Sequence, residues 1–166
     1  MIWGLTTATF TALHVVLSLI GIVTGLIVLY GLLNAKRLDG WTAIFLVTTV
    51  LTSATGFGFP FDHLLPSHKV GIISLILLAI AILARYALHL AGAWRWIYVV
   101  CATLALYLNV FVLVVQSFEK VPALKAMAPT QSEPPFKVAQ GIVLVVFIVL
   151  GVFAVKKFHP GAGHSA

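Results

Sequence analysis

Four side chains of ligand type fall near one end of the apolar stretches of this chain: His14, Asp62, His63 and His68. A b-type haem held between helices needs two imidazoles that approach opposite faces of the iron. His14 and His68 stand near the starts of the first and third apolar runs. They are the expected axial pair, with His63 as substitute and Phe57, Phe59 and Phe61 lining the site. A divalent metal at His14, His68 and Asp62, with His63 beside them, is the alternative. Its ligands come from distant segments and lack zinc-type spacing. The plainer account is that the loop histidines are interfacial and that His14 bonds a neighbouring helix.

A second group lies at the other end. Arg85 and His89 are four residues apart, on one face of a helix, and Arg95 follows a short turn. Together they suit an anionic lipid headgroup or a quinone carbonyl, while the ordinary role of such residues is to snorkel and anchor a helix end. Inside the apolar runs, residues 14, 18, 21 and 25 share a face, so His14 is aligned with Ser18 and with the GxxxG glycines Gly21 and Gly25. That stripe is expected to face protein, either a neighbouring helix of the chain or a membrane partner or second copy docked through Gly21 and Gly25. Thr48, Thr49, Thr52, Ser53 and Thr55 give the second run a hydroxyl-rich half, and Asn109 sits deep in the fourth. Both read first as interhelical packing groups and second as a polar pathway. No serine triad, HExxH, Walker or dinucleotide motif occurs, and no catalytic residue is assigned.

The elements that must position these residues follow from composition. Of 166 residues, 61% are hydrophobic and 8% charged, a balance that excludes a water-soluble domain and makes lipid the solvent for most of the surface. Five apolar stretches approach the length of roughly 20 residues that a bilayer core demands, at about 9–33, 41–57, 70–90, 94–115 and 138–155. The expected fold is therefore all-α, one domain over 1–166, a bundle of five transmembrane helices. The first run is longer than a signal h-region and has no Lys or Arg before it, so it is expected to be a retained helix.

Polar turns separate the runs, and the longest connector, 116–137, is expected to carry an amphipathic patch of Val121, Leu124 and Met127, then Ser132 as cap and prolines in the first turn of the last helix. The net charge of +6 is spread over helix ends, which reads as topology and not nucleic-acid binding. Lys36, Arg37, Arg85, Arg95, Lys156 and Lys157 lie on one side and Lys69, Lys120, Lys125 and Lys137 on the other. The bias predicts an outside N-terminus, an outer-side loop at 116–137 and a cytoplasmic C-terminus. Cys101 is the lone cysteine, so no internal disulfide forms.

The stretches ARYALHLAGAWRWIY (84–98), YLNVF (107–111) and VPALKAMAPTQSEPPF (121–136) resemble a group of small hypothetical bacterial inner-membrane proteins, over most of the chain from the second helix onward. The resemblance implies a multi-pass protein of the inner (cytoplasmic) membrane and leaves the activity open. A looser resemblance, through a His in the first helix and the His68-Lys-Val-Gly71 segment, is to four-helix membrane proteins of b-type cytochrome character. It implies haem b, although a second pair of axial histidines is absent. The expected function is a small membrane binding or accessory protein using haem or quinone at the outer-side histidines. The alternatives are a cofactor-free structural or assembly subunit of a larger membrane complex and, less favoured, a small-solute transporter along the Thr-rich face and Asn109.

Overall fold

A computed structural model describes residues 1–159, which form six α-helices and one π-helical turn, with no strand among them. Residues 160–166, where the C-terminus falls, lie outside the described residues. The helices are α1 (Thr7–Leu33), α2 (Asp39–Gly56), α3 (Pro66–Ile82), α4 (Trp94–Lys120), α5 (Pro122–Met127) and α6 (Pro134–Lys157), and the π-turn Leu83–Ala87 extends α3. The starts are chemically marked. The Thr6 hydroxyl accepts from the Thr9 N–H at 3.1 Å, and prolines occupy the first turns of α3, α5 and α6, where the missing N–H costs nothing.

Four helices are long and apolar enough to cross a membrane: Thr7–Leu33, Pro66–Ala87, Trp94–Lys120 and Pro134–Lys157. The second helix, expected as a fifth span from about 41 to 57, is not one of them. Asp39 and six hydroxyl residues dilute it, although those hydroxyls are largely satisfied within the helix. Thr48, Thr52 and Thr55 each donate to the carbonyl four residues earlier at 2.7 Å. The sixth helix comes from the connector expected as the loop 116–137. Its first residues continue α4 to Lys120 and its middle folds as the short α5. Ser132 does not cap α6. The N-cap is Glu133, and hydrogen bonds from Thr130 and Ser132 to its carboxylate hold that acid below the usual carboxylate range.

Packing centres on α4, which touches every other helix of the bundle. Its inward face is small, with Ala102 and Ala105 fully covered, so neighbouring backbones approach closely. At one end of the bundle an apolar cluster fills the interior, including Val28, Leu29 and Leu32 of α1, Phe45 and Leu46 of α2, Leu78 of α3 and Leu106 of α4.

The same end is tied together by one cation. The π-turn inserts a residue into the helical ladder, seen as Leu88 N–H donating to Leu83 C=O at 3.0 Å, and α3 then ends with His89 and Leu90 at positive φ. The guanidinium of Arg85 is thereby enclosed, with no exposed side-chain surface. It donates to the Tyr98 hydroxyl of α4 at 3.2 Å, to the Arg37 carbonyl of the α1–α2 connector at 3.2 Å and to the Asp39 carboxylate of α2. Three segments thus share one buried charge. Arg85→Ala is expected to destabilise the fold by about 3 kcal/mol, because it breaks a paired, enclosed ion. Asp39→Ala should cost less, since that side chain is 72% exposed. The two effects should be non-additive in a double-mutant cycle read by thermal unfolding in detergent.

Candidate functional site

A polar cavity of about 110 Å³ opens where α1, α2, α3 and α4 meet, at the end of the bundle opposite Arg85. His14 and Ser18 come from α1, Thr49, Thr52 and Ser53 from α2, His68 and Ser74 from α3, and Asn109 from α4. The walls are set by periodicity. His14, Ser18 and Gly21 follow one face of α1, and His68, Gly71 and Ser74 line the cavity from α3. Gly71 lets Phe57 lie against α3, where an added Cβ would meet the ring at 3.2 Å.

The two histidines present opposite chemistry. The Thr55 hydroxyl lies 2.8 Å from His14 Nδ1 and 2.7 Å from the Leu51 carbonyl; with its proton given to the carbonyl, as in the other α2 threonines, it accepts from His14 Nδ1–H. His14 Nε2 is then a bare acceptor. His68 Nδ1 accepts the Leu65 N–H at 3.1 Å, within the first turn of α3, so its proton sits on Nε2, which is a donor. Aromatic rings hold both imidazoles in place. His14 meets Phe59 edge-on at 5.3 Å, and His68 lies between Phe57 at 5.3 Å and Phe61 at 4.1 Å. His68 is buried and His14 half-buried.

Deeper in the cavity, Ser18 donates to Asn109 Oδ1 at 2.9 Å, fixing α1 to α4. Among the described residues no group bonds the buried Thr49 hydroxyl, and a cavity of this volume has room for about three or four waters able to serve it. Below this layer the cluster of Phe45, Leu78 and Leu106 closes the interior. The arrangement can bind a small hydrogen-bonding molecule above this apolar layer.

Of the residues expected to act together, the fold brings His14 and His68 to one cavity and leaves Asp62 and His63 exposed on the connecting loop. No group of three His, Cys, Asp or Glu side chains placed to hold a metal occurs among the described residues. A haem does not fit the pair: the cavity is well short of the roughly 300–1,000 Å³ of ordinary ligand pockets, and the His68 Nε2 carries a proton where iron needs a lone pair.

Arg85, His89 and Arg95 do not form a headgroup site. The π-turn rotates Arg85 inward, His89 stays exposed at positive φ, and Arg95 caps α6 by donating to the Val155 and Phe158 carbonyls at 2.9 and 2.6 Å. Gly21 and Gly25 are also consumed inside the chain. A Cβ on Gly21 would meet Thr49 Oγ1 at 3.0 Å, and one on Gly25 would meet Leu106 at 2.5 Å and Phe45 at 2.9 Å, so this face is covered by α2 and α4 and is closed to a second copy. Ser53 and Ser74 also line the cavity; Ser74 stands six residues, well under two turns, beyond His68, so simple helical spacing does not single it out.

The chain matches no family model, no curated protein and no solved structure.

Gly25→Ala is expected to destabilise by about 1–3 kcal/mol through overpacking, measured by denaturation in detergent. The oligomeric state, read by light scattering on the same sample, should not change.

Proposed function

We propose that the chain is a multi-pass protein of the bacterial inner membrane that binds a small uncharged molecule, one carrying both an acceptor and a donor, between His68 and His14. The observation that carries this reading is the pair of Nδ1 contacts at one cavity, with the Leu65 N–H on His68 and the Thr55 hydroxyl on His14; they favour opposite tautomers, in which His68 Nε2–H offers a proton and His14 Nε2 a lone pair. Waters, alcohols and simple amides have that complementarity, and a cavity of about 110 Å³ limits the ligand to their size. A quinone ring with its substituents exceeds it. The apolar closure below Asn109 favours binding over passage. A docking subunit acting through Gly21 and Gly25 is disfavoured, because those glycines are buried within the chain.

Within this reading α2, packed between α1 and α3, crosses the bilayer as a fifth span. Lys36, Arg37, Arg85, Arg95, Lys156 and Lys157 at the Arg85 end against Lys69, Lys120, Lys125 and Lys137 at the other favour a cytoplasmic Arg85 end. The cavity then faces the outer half of the membrane.

Nitrogen-15 NMR of the chain in lipid nanodiscs tests the binding site. His14 should be seen as the Nδ1–H tautomer and His68 as the Nε2–H tautomer. Formamide, whose carbonyl suits His68 and whose N–H suits His14, should shift both Nε2 signals with one midpoint. Ser53→Phe, whose ring takes up most of the cavity, should abolish both shifts. Separate midpoints, no response, or a His68 unprotonated at Nε2 would defeat the reading.

A further inference from the structure

A second, larger concavity runs along the lipid-facing side of the bundle between α4 and α6, with a volume of about 360 Å³, within the range of ligand pockets. Its walls are almost wholly apolar, formed by Leu104 and Tyr107 of α4 and by Phe147, Ile148 and Val152 of α6. Lys156 stands at one end. Gly151 lies in the middle of the groove, where an added Cβ would reach ordinary contact with the Thr103 methyl at 3.5 Å and a large side chain would fill the space.

We propose that this groove is a specific site for an anionic phospholipid, with one acyl chain lying between α4 and α6 and the phosphate paired with Lys156. Charge supports the anionic class. The Lys156 side chain is exposed and, among the described residues, pairs with no carboxylate. Asp39, the acid of this end, is engaged by Arg37 and Arg85. Moreover, Arg95 donates to the Val155 and Phe158 carbonyls, two of the carbonyls at the end of α6 that attract a cation. The cation is therefore left for an external anion. The groove's one polar side chain besides Lys156 and Tyr107 is Thr103, whose buried hydroxyl has no hydrogen-bond partner. It lies opposite Gly151, five residues and so about 7–8 Å along the helix from Lys156. The groove shares α4 with the histidine cavity but none of its lining residues.

Native mass spectrometry of the detergent-solubilised chain, with phosphatidylglycerol and phosphatidylcholine of identical chains added in equal amounts, tests the assignment. The wild-type chain should retain phosphatidylglycerol preferentially. Lys156→Gln should lower that preference about fivefold, the effect of one cation beside an anionic headgroup. Lys157→Gln, whose side chain does not line the groove, should leave it unchanged, and Gly151→Phe should reduce retention of both lipids. Inorganic phosphate in excess should not displace the lipid, because the acyl chain supplies most of the contact. Equal retention of the two lipids, a loss of preference as large in Lys157→Gln as in Lys156→Gln, or displacement by phosphate would overturn the proposal.

Discussion

Hydrocarbon gives a polar group nothing to bond to, and a hydrogen bond left unmade there costs several kcal/mol by the transfer of the bare group. Most features of this bundle follow from that constraint. The hydroxyls of α2 turn back on their own helix, the Asn109 amide meets Ser18 across the α1–α4 contact, and Arg85 gathers Tyr98, the Arg37 carbonyl and Asp39 around itself. Between these polar groups lie small residues and branched aliphatics that need only shape. Exposed apolar side chains elsewhere, dense on α6, face outward as lipid-facing surface requires.

The two ends of the bundle use polarity differently. At the Arg85 end the polar groups are mutually satisfied apart from Arg85 Nε, and they lock three segments of chain. At the His14 end they surround a space, where, among the described residues, the Thr49 hydroxyl and the Nε2 atoms of the two imidazoles have no hydrogen-bond partner. The first pattern is what stability asks of a buried charge. The second keeps hydrogen-bonding capacity in reserve, which is the property of a binding site.

Much of the inner architecture was legible in residue spacing. The alignment of His14 with Ser18 and Gly21 placed that stripe against protein, and the depth of Asn109 required a partner on another helix; Ser18 is that partner. The meeting of His14 with His68 was legible too, because both stand near the starts of helices running in the same direction. Other features were not. The sense in which each imidazole holds its proton depends on Thr55 and on the Leu65 N–H, and neither follows from periodicity. The GxxxG pattern marks close approach but does not say whether the neighbour belongs to the same chain, and here it does. Regular spacing through residue 90 would put Arg85 and His89 on one face. A single π-turn breaks that spacing, and nothing in the segment LARYA announces it.

That π-turn also sets a limit on how this segment can change length. The wide turn carries one residue more than a regular ladder would need, and the surplus is what rotates the guanidinium away from the surface. A chain shortened by one residue between Leu83 and Ala87 would form the tidier helix, yet it would swing its cation outward and release the connector that runs from α1 to α2. The irregular backbone is thus the device by which a residue suited to the membrane surface is made to serve as an interior clasp.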